Sequence, residues 1–180
     1  MRRTLKMLTV LTLTATITSC AQSNNINENK TTVLEFNLEK SLLANGYIKV
    51  PMTKEISGHL QLKGSINGVK GIFILDTGAG ATVIERTQKE KFKMKAINTD
   101  NVATGAGGSG IAMQDSKNNE LILSSLKMEN KSLTLMDLGY VNNAFETLGI
   151  KKIDGVIGAD VLTKGDAIID YVNLILYLKR

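Results

Sequence analysis

The stretch Ile72-Phe73-Ile74-Leu75-Asp76-Thr77-Gly78-Ala79-Gly80-Ala81-Thr82-Val83-Ile84 sets one acid between two apolar runs, and none of the six residues after the acid is larger than threonine. An apolar strand that delivers an acid into a tight turn of small residues buries the acid's approach but leaves its carboxylate thinly covered. Gly78 lets other backbone come close to the turn. A carboxylate so placed faces whatever enters the groove beside it.

The flanking sequence reads as short strands. Tyr47-Ile48-Lys49-Val50 alternates, as does His59-Leu60-Gln61-Leu62-Lys63, with Leu60, Leu62 and Ile66 on one face. Asn67-Gly68 tolerates the positive φ of a type I′ turn and predicts a hairpin into residues 70–75. Further strands are expected at 33–36, 110–114, 120–123, 131–136, 167–171 and 174–178, and helices only at 84–92, 140–148 and 159–163. With 180 residues the chain holds one domain of ordinary size, mostly β, and its composition excludes collagen-like and disordered classes.

Three elements in one order resemble the retropepsin-like aspartic peptidases of bacteria. Asp76-Thr77-Gly78-Ala79 with its apolar flanks is similar to their active-site signature. Val156-Ile157-Gly158, within Asp154-Gly155-Val156-Ile157-Gly158-Ala159-Asp160-Val161-Leu162, resembles the hydrophobic-hydrophobic-glycine segment and short helix that pack behind that loop. Residues 167–171 and 174–178 resemble the closing strands. The resemblance covers about residues 59–178 and implies a closed, barrel-like β domain with one or two short helices. Residues 32–57 precede it, and 130–149 look like an elaboration.

The resemblance also implies roles. Asp76 is the expected catalytic residue, Thr77 would brace the active site across subunits, and Gly78 and Ala79 would line its floor. Gly105, Ala106, Gly107 and Gly108 lie where such enzymes carry a mobile flap, although a glycine-rich tip can be a plain loop. Water-activating chemistry of this kind needs two carboxylates about 3 Å apart sharing one proton. The chain contains one Asp-Thr-Gly, and Asp154, Asp160, Asp166 and Asp170 lack the small-residue turn, so they read as structural or exposed. The second carboxylate is therefore expected from another copy in a homodimer, acting on a peptide or protein substrate without metal or cofactor. Retroviral members interleave their termini, whereas here the N-terminus reads as tied to lipid.

That tie is read from the N-terminus. A basic start, an apolar run over 7–17 and Ile17-Thr18-Ser19-Cys20 read as a secretory signal over 1–19. The apolar run spans about 16 Å as a helix, half of a hydrocarbon core near 30 Å. Ile17-Thr18-Ser19-Cys20 resembles a bacterial lipobox, which implies lipidation at Cys20, the only cysteine, and permanent anchoring in the bacterial cell envelope. Ala21 after the cysteine is similar to outer-membrane sorting where the envelope has two membranes. Residues 20–31, polar and Asn-rich, suit a flexible tether, which leaves 32–180 as the folded domain.

Other readings are weaker on chemistry. Removing Arg2, Arg3 and Lys6 with the signal lowers the formal charge from +5 to +2, so nucleic acid loses its electrostatic case as a partner. Gly105, Gly107 and Gly110 copy the dinucleotide-binding spacing without the βαβ unit that gives it meaning. His59, the single histidine, has no companions for a metal site or a serine triad and is expected at the surface, as is the lysine-rich stretch 89–95. The alternative function is a catalytically inactive envelope lipoprotein that uses the same groove to hold peptides or a partner. A monomer would favour it, since one carboxylate cannot form the pair.

Overall fold

The computed structural model describes residues 37–105 and 108–180. The signal segment, Cys20 and its tether, the run at 33–36 and the Ala106-Gly107 tip lie outside the described residues. In chain order the elements are α1 (Leu38–Ala44), β1 (Tyr47–Lys54), β2 (Leu60–Ile66), β3 (Val69–Leu75), β4 (Val83–Glu85), β5 (Ala96–Gly105) and β6 (Gly108–Leu123). After these come β7 (Leu126–Met136), α2 (Gly139–Thr147), β8 (Gly155–Ile157), α3 (Ala159–Lys164), β9 (Ile168–Asp170) and β10 (Ile175–Lys179). The mostly β class expected from the sequence is the observed one.

The strands follow the order β5-β6-β7-β4-β8-β3-β2-β1-β10-β9, and a further β6–β2 pairing closes six of them into a ring. β2 and β3 form the hairpin that Asn67-Gly68 predicts, Ile66 facing Val69 across a turn with φ of 50° and 79° at its two central residues. Asn67 does more than turn. Its side-chain amide donates to the Phe92 carbonyl (2.8 Å) and Asn119 Oδ1 (2.9 Å), and its own Oδ1 accepts from the Glu120 amide (2.9 Å).

β3 is apolar from Ile72 to Leu75, where both of its faces are covered. Phe73 and Leu75 enter the main core with Leu62, Ile66, Leu121 and Leu176, while Ile74 packs on the other side with Phe145, Ile150 and Ile153. The stretch 130–149 read as an elaboration thus includes α2, whose Phe145 covers the outer face of the strand leading to Asp76.

Two of the three expected helices are present as α2 and α3. The helix expected at 84–92 is not: Ile84 pairs with Gly155 on β8 and Leu135 on β7, and only Arg86–Gln88 makes a 3₁₀ turn. The buried Glu85 carboxylate accepts from Thr87 N (3.1 Å) and Leu138 N (2.7 Å), so sheet pairing and two amides override the local helical preference. The strands expected at 110–114 and 120–123 are one long strand, β6, which stays continuous through register shifts near Ser116 and Asn119. β5 and α1 have no counterpart among the expectations.

α1 is fixed by Glu39, which meets Lys49 at 2.7 Å and lies beside the buried Tyr177 phenol. Burial, with Glu39 adding to it, pushes that phenol up from its ordinary value. A raised folded-state value means that Tyr177 stabilises fully below the unfolded value near pH 10 and loses that contribution as pH rises through the folded one. Tyr177→Phe should therefore show a shallower alkaline decline in urea stability than the natural chain, and parallel declines would contradict this. Asn67→Ala, which removes three hydrogen bonds and keeps a positive φ, should cost about 2–4 kcal/mol in the same assay. A loss below about 1 kcal/mol would show that these Asn67 hydrogen bonds carry no weight.

Candidate active site

Asp76 stands directly after β3, and its position follows from β8. Phe73, Ile74 and Leu75 pair in parallel with Gly155, Val156 and Ile157, and the Asp76 amide continues the ladder by donating to the Ile157 carbonyl at 3.1 Å. The chain then turns: Ala79 N donates to the Asp76 carbonyl (3.3 Å), and Gly78 N donates to Asp76 Oδ1 (2.8 Å). Leu75 is buried, whereas Asp76, Thr77 and Gly78 are exposed and Ala79 is half-buried. The strand is therefore rigidly seated and the carboxylate open.

The loop is braced from behind by the glycine segment. Ala159 N, at the start of α3, donates to the Ala79 carbonyl at 2.7 Å. A methyl group on Gly158 would lie 2.5 Å from the Ala81 carbonyl oxygen and 2.8 Å from that of Ala79, so only glycine allows this approach. Gly155 is equally confined, against the Val83 carbonyl oxygen. Val156, Ile157 and Gly158 thus lie beside the Asp76 loop, Ile157 fully buried.

A polar cluster that sequence reading did not single out completes the brace. Thr82 is buried; its hydroxyl donates to Asp160 Oδ1 (2.7 Å) and accepts from Gly158 N (3.1 Å). Asp160 Oδ2 meets Lys131 Nζ at 2.7 Å, and the Lys131 side chain is only 12% exposed. Asp154 accepts from Ile72 N (2.9 Å) and pairs with Lys91. Asp160 and Asp154 are therefore structural carboxylates. The signal for the first was an acid in the first turn of a short helix, where the helix N-terminus favours negative charge.

Gly105 and Gly108 pair at the end of the β5–β6 hairpin, with Gly108 at φ 115° and register shifts along β5. His59 is exposed, as expected, its ring edge-on to Phe145 at 5.2 Å. A hollow of about 360 Å³ adjoins the Asp76 loop, lined by Thr77, Leu162, Ala167 and Ile169 among others. A larger one, about 640 Å³, lies away from it among Lys63, Lys70, Lys91 and Asp154. Its walls include no residue of the Asp76 turn.

The arrangement offers one open carboxylate on a fixed loop. Residues 62–161 match the family model described as aspartyl protease. The chain belongs to the aspartyl protease family. The match runs from β2 into α3, so it takes in the Asp76 loop and the glycine segment and leaves out β9 and β10. Among solved structures the chain is similar to a retropepsin-like aspartic protease from Rickettsia conorii, at 20% identity over 74% of this chain and 91% of that one, TM-score 0.46. It is also similar to the EIAV protease in complex with the inhibitor HBY-793, at 15% identity over 66% of this chain and 98% of that one, TM-score 0.49. No curated protein sequence matches it.

For this member of the family the brace predicts a specific weakness. Thr82→Val keeps the shape but strips partners from Gly158 N and Asp160, and should cost about 2–4 kcal/mol by chemical denaturation. Thr82→Ser, which keeps the hydroxyl, should cost less than half as much. Equal losses in the two variants would place the effect in packing instead.

Proposed function

We propose that this chain is an aspartic endopeptidase that works as a homodimer, each copy supplying one Asp76 to a shared pair. The observation that carries the reading is the single open carboxylate in an Asp-Thr-Gly turn whose backbone is held by Ile157 and Ala159. One carboxylate cannot both take and give a proton at the same moment. Two of them about 3 Å apart share one proton because both cannot readily ionise.

In the pair, the ionised member takes a proton from a bound water as that water attacks the peptide carbonyl carbon. The protonated member gives its proton to the carbonyl oxygen. Collapse of the tetrahedral intermediate breaks the C–N bond and passes a proton to the leaving amine. Thr77 lies next in sequence to the reacting acid and would brace the pair from both copies. The β5–β6 hairpin is the candidate cover over an extended substrate. In this reading the acyl chains on Cys20 hold the domain at the surface of the bacterial envelope, in the outer membrane where there are two, and its substrates are peptides or proteins that reach that surface.

The test is cleavage of a mixed peptide library by the full-length chain in detergent, from acid to neutral pH, with oligomeric state measured alongside. Asp76→Asn should fold and dimerise as the natural chain does and lose at least about 10³-fold in rate, with the natural optimum on the acid side of neutral. No cuts from a confirmed dimer across that range would sink the peptidase and favour a binding protein that keeps the groove.

A further inference from the structure

The paired-carboxylate reading, on which this inference rests, requires a two-fold axis within a few ångström of Asp76. The docking face must therefore adjoin the Asp76 loop and complement itself. Among the described residues, the first and last long strands, β1 and β10, already pair within one chain, Tyr47 facing Lys179 and Pro51 facing Ile175, and β10 is lined by β9 on its other side. Interleaving them between copies would first require this pairing to break.

β9 ends the sheet. Among the described residues it pairs only with β10, so its outer edge presents unpaired backbone groups, a ready template for another strand. This edge also adjoins the catalytic loop: Thr77 shares the 360 Å³ hollow with Ala167 and Ile169, which lie just before and within β9, and with Leu162 of α3. Immediately beyond β9, Tyr171 and Val172 are 66% and 91% exposed, two large apolar residues together at the surface. Their turn is well set, the Asp170 carboxylate accepting from Val172 N, Asn173 N and the Asn173 side chain. Val172 is thus held outward at some cost in solvent exposure.

These features fit one arrangement. If β9 pairs antiparallel with its own copy about Ile169, residue 171 falls opposite 167 and residue 172 opposite 166. The exposed turn of one copy then meets the hollow of the other, where Leu162, Ala167 and Ile169 give apolar contact and Thr77, Thr163 and Asp166 give polar contact, twice by symmetry. We infer that the second copy docks along the free edge of β9, with its Tyr171 and Val172 seated in the hollow beside Thr77. The dimer is closed by the edge strand, and each copy supports the floor of the other's active site.

The first test is the double variant Tyr171→Lys/Val172→Lys in the full-length chain. Both positions are exposed, so the urea midpoint should stay within the range of ordinary surface changes. Sedimentation should show the dimer dissociation constant raised at least tenfold, with Asp76-dependent cleavage lost at low protein concentration and recovered at high. The second test places one cysteine at 168, 169 or 170 in a Cys20→Ser background, with Ile97→Cys on β5 as control. Facing residues across a two-fold strand pair lie close enough for a disulfide, so at least one β9 position should cross-link on oxidation and stay active, and the control should not.

A natural dimer that neither variant set perturbs nor cross-links at β9 overturns the interface and leaves the paired carboxylates standing. Cleavage by a chain that is monomeric at every concentration overturns both. A β9-linked dimer that does not cleave upholds the interface and removes the peptidase.

Discussion

A strand of three residues, β8, determines where everything else at the site can be. It enters parallel to β3 and antiparallel to β4, so its backbone groups serve both sides of the Asp76 turn at once. That insertion is possible only because Gly155 and Gly158 bring backbone against backbone where a side chain would collide. The Asp76 amide finds its partner there and the Ala79 carbonyl finds one just beyond, at the start of α3, so a six-residue run of small side chains can leave β3 and rejoin the sheet at β4 without losing its shape. Small residues make the turn thin, and β8 makes it rigid.

The acids divide by solvation. Glu85, Asp154 and Asp160 are taken up by amides, hydroxyls and lysines, so their charge is spent on holding elements together. Among the described residues the Asp76 side chain accepts only the amide of Gly78, two residues on, and it remains open to solvent. Burying a carboxylate without partners is costly, so the structural ones come with partners; a reactive one needs room for water and substrate instead.

The sequence was legible where one local cause decides the outcome. Asn67-Gly68 forces a hairpin through its two positive φ values, and the acid after Ile72-Phe73-Ile74-Leu75 could only mark the end of a buried strand. It was not legible where partners distant in the chain decide. Residues 84–92 are rich in Lys and Glu and look helical, but Ile84 is claimed by two neighbouring strands and Glu85 by the Leu138 amide more than fifty residues on. The Thr82–Asp160–Lys131 cluster joins three segments that no spacing rule connects. β5 is hidden because a hairpin strand with exposed Ile97 and Val102 has no period-two signature to display.

The β1–β10 pairing has a consequence for how the molecule comes to exist. Tyr47 and Lys179 are about 130 residues apart and lie side by side, and Leu176 and Leu178 fill the core from the last strand but for its edge partner. Contacts of such high sequence separation delay the transition to the native state, because the loop entropy is lost before the contact stabilises anything. A nascent chain must therefore wait for β10 before the sheet is complete. Until then the main core stays open on one side, and the free edge of β1 is exposed to any other strand that reaches it first.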